Sequence, residues 1–281
     1  MEILWNLSGG GLANRIKWWV SSMRVRDYYN LPIKYFWQNG VHLSNCDFNI
    51  LFDNKIERIN DKSVFQNPNK YIFNEGWRLY LFENDVDKNF ANVYPIKNNE
   101  INKLKIYNVG PFNGECIDFE YNRIPTNIID IYLKYFKSII PNKNIQNIVD
   151  SFISEYIDND VVGVHIRRTD HMKKNDRNSH SDEKYFVEMN KILQDNPSIK
   201  FFISTDCIST QKKFIDKFPN SIYYKKRDNL NTRNNETGIQ DAFIDILILS
   251  KLKHLLVSPK STFTEVAWWF GECKAFVKTI Q

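Results

Sequence analysis

Val161-Val162-Gly163-Val164-His165-Ile166-Arg167-Arg168-Thr169-Asp170 is the stretch from which the rest of the chain is best read. Its first half is a β-branched run interrupted by Gly163 and preceded by Asp158-Asn159-Asp160, the pattern of a buried strand. Its second half gathers His165, Arg167, Arg168, Thr169 and Asp170 where that strand would end. In an open parallel α/β sheet, ligands bind just beyond the carboxyl ends of the strands. Adjacent arginines there present planar, permanently charged forks suited to phosphate oxygens. The plainer alternative is a solvated Arg-Arg pair closing a strand and bonded to Asp170.

Strands and helices alternate on either side of this stretch. Downstream, the spacing predicts a helix capped at Ser181-Asp182 and running to Asp195, then a strand over 200–204 ending at Thr205-Asp206. A helix over 211–218 and a strand at Ile222-Tyr223-Tyr224 come next. A helix over 239–250, a strand over 254–257, a helix starting at Ser261-Thr262 and a closing strand at Ala275-Phe276-Val277 complete the series. Such alternation argues for a parallel sheet with helices on both faces. Parallel strands bring their carboxyl ends to one edge. His165, Arg167 and Arg168, Ser204-Thr205-Asp206, and Ser258 with Ser261-Thr262 would converge there. A plain N-terminal cap is the commoner role of such a serine, and it leaves helix N–H groups available to a phosphate.

Upstream, a strand over 3–7 leads into Gly9-Gly10-Gly11, then a helix with Leu12, Ile16, Trp19, Val20 and Met23 on one face. Asn30 caps it, Pro32 stops it, and a strand over 33–37 follows. Glycines permit close approach to a ligand, and Asn14 and Arg15 lie in the first helical turn. A tight turn needing positive φ explains the glycines too. The pattern is not the dinucleotide-binding GxGxxG. Short elements are expected over 48–52, 70–73, 79–82 and 106–109, and helices over 128–136 and 145–156. The Pro141-Asn142-Lys143 linker suggests domains at residues 1–140 and 141–281.

A chain of 281 residues, 42% hydrophobic and 25% charged, suits two globular α/β domains. The net charge of +5 comes from 38 basic and 33 acidic residues. It suits a small anionic ligand and is too weak and too scattered to argue for nucleic acid. Lys225-Lys226-Arg227 reads as a solvated loop. Cys46, Cys116, Cys207 and Cys273 show no metal-type spacing and read as free thiols of a reducing compartment. The start reads as a strand and not as a secretion signal, and no apolar run reaches membrane-spanning length, so a cytoplasmic location is expected.

Val-Gly-Val-His-Ile-Arg-Arg-Thr-Asp, at 162–170, resembles the His-x-Arg-Arg-x-Asp donor motif of the fucosyltransferase superfamily, which spans the α1,6-, α1,2- and protein O-fucosyltransferases. Phe202-Ile203-Ser204-Thr205-Asp206 resembles its second motif. Asp245-Ile246-Leu247-Ile248-Leu249-Ser250 and the Leu255 to Phe263 stretch resemble its third. Gly9-Gly10-Gly11-Leu12-Ala13-Asn14-Arg15 resembles its N-terminal glycine-rich motif. The resemblance implies a GT-B fold, two Rossmann-like domains facing across a cleft with acceptor on the first and nucleotide-sugar on the second. It implies inverting, metal-independent transfer from GDP-fucose to a glycan hydroxyl, without a cofactor. Arg167 would stabilise the leaving diphosphate; His165 and Asp245 would contact the nucleoside; Ser261 and Thr262 would bind phosphate. Arg168, Thr205, Asp206, Gly10, Gly11, Asn14 and Arg15 complete the expected donor site. The α1,6 branch has a glutamate shortly after the first motif as base; here Asp176 stands nearest, with Asp170 and His171 as alternatives. Another donor such as UDP-xylose, or a non-catalytic glycan-binding protein, would use the same scaffold.

Overall fold

The computed structural model describes residues 3–7, 10–30, 32–37, 45–61, 63–64, 71–74, 81–82, 95–96, 126–157, 161–168, 181–227, 235–259 and 261–280. The chain forms two compact units, Met1–Asn142 and Lys143–Gln281.

In the first unit, β1 (Ile3–Asn6), α1 (Leu12–Tyr29) and β2 (Ile33–Phe36) make the expected βαβ start, with β1 and β2 parallel. β3 (Tyr71–Asn74) pairs parallel on the other side of β1, giving the order β2-β1-β3. Asn30 ends α1 in the left-handed conformation, at φ 51°, a position that asparagine tolerates well. The single-turn helix α2 (Phe48–Leu51) is capped by Asp47, whose side chain accepts from the Asn49 amide at 2.9 Å. β4 (Leu81–Phe82) and β5 (Pro95–Ile96) form a short parallel pair, and α3 (Thr126–Lys137) packs on α1. The expected strand at 106–109 lies outside the described residues.

The core of this unit is aromatic. Trp5 and Trp18 rings lie 4.4 Å apart, Trp19 meets Phe48 at 5.0 Å and Phe52 at 5.2 Å, and Trp37 meets Phe48 at 5.4 Å. Two of the indoles give their N–H to backbone: Trp18 donates to the Asn6 carbonyl and Trp37 to that of Cys46. The sequence suggests an amphipathic α1, yet Lys17, Ser21, Ser22 and Arg24 are buried along with its apolar stripe. Arg24 finds its place across the Tyr132 ring, 5.1 Å from the centroid.

The second unit continues the alternation: α4 (Lys143–Tyr156), β6 (Val161–Ile166), α5 (Asp182–Asp195), β7 (Lys200–Thr205), α6 (Ile208–Lys217), α7 (Glu236–Leu249), β8 (His254–Val257), α8 (Thr262–Phe270) and β9 (Phe276–Thr279). All four strands are parallel, in the order β7-β6-β8-β9. The two-residue side-chain period of the strands divides the core. Val162, Val164 and Ile166, with Phe201 and Ile203, pack toward Tyr185 and Met189 of α5 and Phe214 of α6. Gly163 faces the other way. A Cβ there would stand 2.6 Å from Leu255 and 2.9 Å from Leu249, so glycine lets the α7 layer close on the strand. Ile222-Tyr223-Tyr224 is not a strand. Ile222 makes one bridge to Phe202, giving its N–H to Phe201 and accepting from Ile203, and the chain then leaves the sheet edge. Among the described residues no helix is long and apolar enough to cross a membrane.

Candidate functional site

Register decides which polar side chains meet at the carboxyl edge of the second sheet. His165 pairs with Ser204 on β7 and Val257 on β8, so the last turns of three strands lie side by side. His165 and Ser204 share the face covered by α7 and α8. The His165 ring is buried, stacks on Phe263 at 4.7 Å, and shares a 2.7 Å hydrogen bond through Nδ1 with Thr264 Oγ1. Ser204 donates to Asp245 Oδ2 at 2.8 Å, and Lys226 reaches the same oxygen at 2.5 Å.

Asp245 is therefore asymmetric. Oδ2 takes two donors, whereas the buried Oδ1 has no hydrogen-bond partner. Burial raises the Asp245 carboxyl above its ordinary value, with Lys226 and Ser204 opposing that shift. One turn earlier on α7, Asp241 is saturated: the Arg227 amide donates to Oδ2 at 2.8 Å and Arg227 Nε to Oδ1 at 2.7 Å. The segment read from sequence as a solvated basic loop is thus bonded to two buried acids. A run of three cations carries no mark of its partners, and the Asp241/Asp245 spacing of one helical turn was the available signal.

Two further buried oxygens lack partners at this edge. Thr205 Oγ1 stands at the last residue of β7, on the α5 face. Ser261 Oγ stands at the cap of α8, where it makes no capping bond. An unsatisfied buried hydroxyl is costly, so these atoms mark where a ligand or water completes the structure. Thr262 opens α8 beside Ser261.

The two arginines divide their tasks. The Arg167 amide donates to Ser258 Oγ at 3.0 Å, and the Arg168 amide to Asp206 Oδ1 at 2.8 Å. The Arg168 side chain turns inward and bonds Asp182 at the start of α5. Lys213 of α6 takes the other Asp182 oxygen at 2.6 Å. Burial pushes the Asp182 carboxyl up, but Lys213 and Arg168 outweigh it and hold it below its ordinary value. Arg167 is half-buried by comparison. Thr169, Asp170, His171 and the expected base Asp176 lie outside the described residues. The sequence reading missed Tyr185, Thr264 and Lys226. Tyr185 lies four residues before Met189 on one helix face, but nothing local shows that its hydroxyl has work to do.

In the first unit, Gly10 adopts φ 72°, and a Cβ there would stand 2.9 Å from the Asn14 side chain. Gly11 caps α1 without a side-chain bond, and Asn14 Oδ1 is buried without a partner. Arg15 lies beneath, 1% exposed, its guanidinium 5.0 Å from the Trp37 centroid, and burial lowers it to about 10. Cys46, Cys207 and Cys273 are free thiols.

No protein-family model and no curated protein sequence matches the chain. Its fold has solved counterparts. With NodZ α-1,6-fucosyltransferase soaked with GDP-fucose it shares a TM-score of 0.58 at 16% identity, over 96% of this chain and 93% of that one. Fucosyltransferase NodZ from Bradyrhizobium gives 0.57 at 16%, over 95% and 92%. POFUT1 in complex with GDP-fucose gives 0.54 at 9%, over 99% and 97%. The fold class is α/β of the GT-B type, as the first motif implied.

Proposed function

We propose that this chain is a glycosyltransferase that moves a sugar from a nucleoside diphosphate, L-fucose from GDP-fucose, onto a glycan hydroxyl, with inversion and without metal. One observation carries the reading. Three buried oxygens without partners, Thr205 Oγ1, Asp245 Oδ1 and Ser261 Oγ, border the strand edge from which Arg167 emerges. The sugar-nucleotide complexes of NodZ and POFUT1, which share the fold, support the choice of donor.

The chemistry follows from charge. The acceptor oxygen attacks the anomeric carbon as the bond from that carbon to the β-phosphate oxygen breaks. The leaving diphosphate gains negative charge, and a preorganised guanidinium lowers the barrier most where that charge grows. Arg167 supplies it, while the α8 terminus with Ser261 and Thr262 holds phosphate. Asp245 Oδ1 accepts an N–H of the base. Asp176 takes the acceptor proton. His165, with Nδ1 engaged by Thr264, supports the nucleoside pocket from inside.

Thermal shift against GDP, UDP, CDP and TDP tests the donor class. A ligand at one hundred times its Kd adds about 2.7 kcal/mol, so GDP should raise the melting temperature by several degrees. A response to UDP alone would replace the base, and no response to any would remove the nucleotide from the reading.

A further inference from the structure

Two hydroxyls, one of them outside every motif, lie at the root of Arg167. Tyr185 of α5 is fully buried, its ring 5.8 Å from Phe214 in the α5–α6 core. Ser258, just past β8, is 1% exposed. They meet at 2.8 Å, and both touch the exit of β6. Tyr185 Oη donates to the His165 carbonyl at 3.0 Å, and Ser258 Oγ accepts from the Arg167 amide at 3.0 Å. The Ser258 amide also donates to the His165 carbonyl, at 3.1 Å.

Each hydroxyl has one hydrogen, so the direction of the circuit can be assigned. Tyr185 spends its hydrogen on His165 O. The Ser258 hydroxyl then donates to Tyr185 Oη, since its own route to His165 O is longer, at 3.5 Å. The chain of donors runs from Arg167 N–H to Ser258, to Tyr185, to His165 C=O. It leaves the backbone at residue 167 and returns at residue 165, with every donor used. Burial raises the Tyr185 phenol, so it remains a neutral donor at working pH. A phenylalanine would fill the same core volume. The hydroxyl adds only this link to the backbone on both sides of Ile166.

We propose that Tyr185 and Ser258 are positioning residues for Arg167: their hydrogen-bonded circuit holds the backbone exit of β6 so that the guanidinium meets the departing diphosphate. What Arg167 does there rests on the function proposed above; that its backbone is held by this circuit does not. A small displacement matters because a charge that stabilises a transition state must be aimed before the reaction starts.

Hydrogen exchange of the full chain, read at the Arg167 amide, tests the holding directly in Tyr185→Phe. The Arg167 amide should exchange about tenfold faster, as expected for loss of one hydrogen bond, while amides in the middle of β7 and β8 keep their rates. With GDP-fucose, kcat should fall about tenfold while the donor KM changes less than about threefold. Ser258→Ala removes the acceptor itself and should give the same pattern with less disturbance to the core, which covers the case in which Tyr185→Phe does not fold. Unchanged exchange at Arg167, or faster exchange across the whole sheet, overturns the proposal. So does an unchanged kcat in a variant whose Arg167 amide has been released. If the wild-type chain turns over no sugar nucleotide, the proposed function fails, and the exchange rates alone decide the circuit.

Discussion

Both units bury polar side chains around a parallel sheet, and they do so in opposite ways. In the first, the buried cations sit on a helix and are absorbed by aromatic faces: Arg15 against Trp37, Arg24 against Tyr132. In the second, buried polar groups crowd the carboxyl ends of strands, pair with carboxylates and leave oxygens over: Thr205, Asp245 and Ser261. A cation over an aromatic ring gains a favourable contact, and in the first unit Asn14 Oδ1 is a buried oxygen without a partner as well. A carboxylate oxygen or hydroxyl without a donor still needs one. The second arrangement, with three such oxygens at one strand edge, is therefore the one that most expects a ligand, and substitutions in each unit should separate packing from binding.

The largest effect should come from Arg167→Ala. Losing one preorganised donor to the growing charge costs about 100- to 1,000-fold in kcat. The melting temperature should hardly move, because the side chain is half-exposed. A variant of near wild-type rate, measured by sugar-nucleotide turnover, would detach the strand edge from catalysis.

Lys226→Met comes next and acts on stability. It leaves the buried Asp245 charge without its cation, a loss of about 3 kcal/mol by denaturant unfolding at pH 7. Asp245 is an acid whose folded value is already raised. The stability of the variant should therefore fall as pH rises through that value and recover as pH is lowered, since the protonated form needs no partner. An equal loss at pH 5 and pH 7 would show that the lysine contributes packing only.

Asp182→Asn should cost less, about 2 kcal/mol, because Asp182 retains some contact with solvent. Its folded value is lowered, so wild-type stability from this group is present above about pH 4 and is lost as pH falls through the folded value. Unfolding curves of the variant should lack that acid-limb component. The smallest effect is expected from Arg15→Met, about 1 kcal/mol, with the GDP-induced thermal shift preserved. A lost shift would mean that the first unit also holds the donor, as its glycine-rich turn suggested at the outset.

Much of the second unit was legible. The runs at Val161–Ile166 and His254–Val257 became strands with those bounds, because continuous β-branched and leucine runs between turns have few other uses. Ile222-Tyr223-Tyr224 is also made of residues that favour strands, yet it failed as one. Its neighbour is an edge, and only Ile222 reaches it. In the first unit Asn30 and Pro32 ended α1 as expected, yet its periodicity understated its burial, since polar residues on a helix enclosed all round do not mark a wet face.

Order along the chain was sufficient for the alternation, for the arginine pair at a strand tip and for the serine at a helix start, because these depend on local propensity and on the two-residue period. Three-dimensional packing decided the rest. It turned Arg168 inward to Asp182 while its neighbour stayed at the edge, set Lys226 on one oxygen of Asp245, and closed the Tyr185–Ser258 circuit across 73 residues. Such choices rest on which atoms lose water together, and that follows from the register of the strands and the seating of the helices on them.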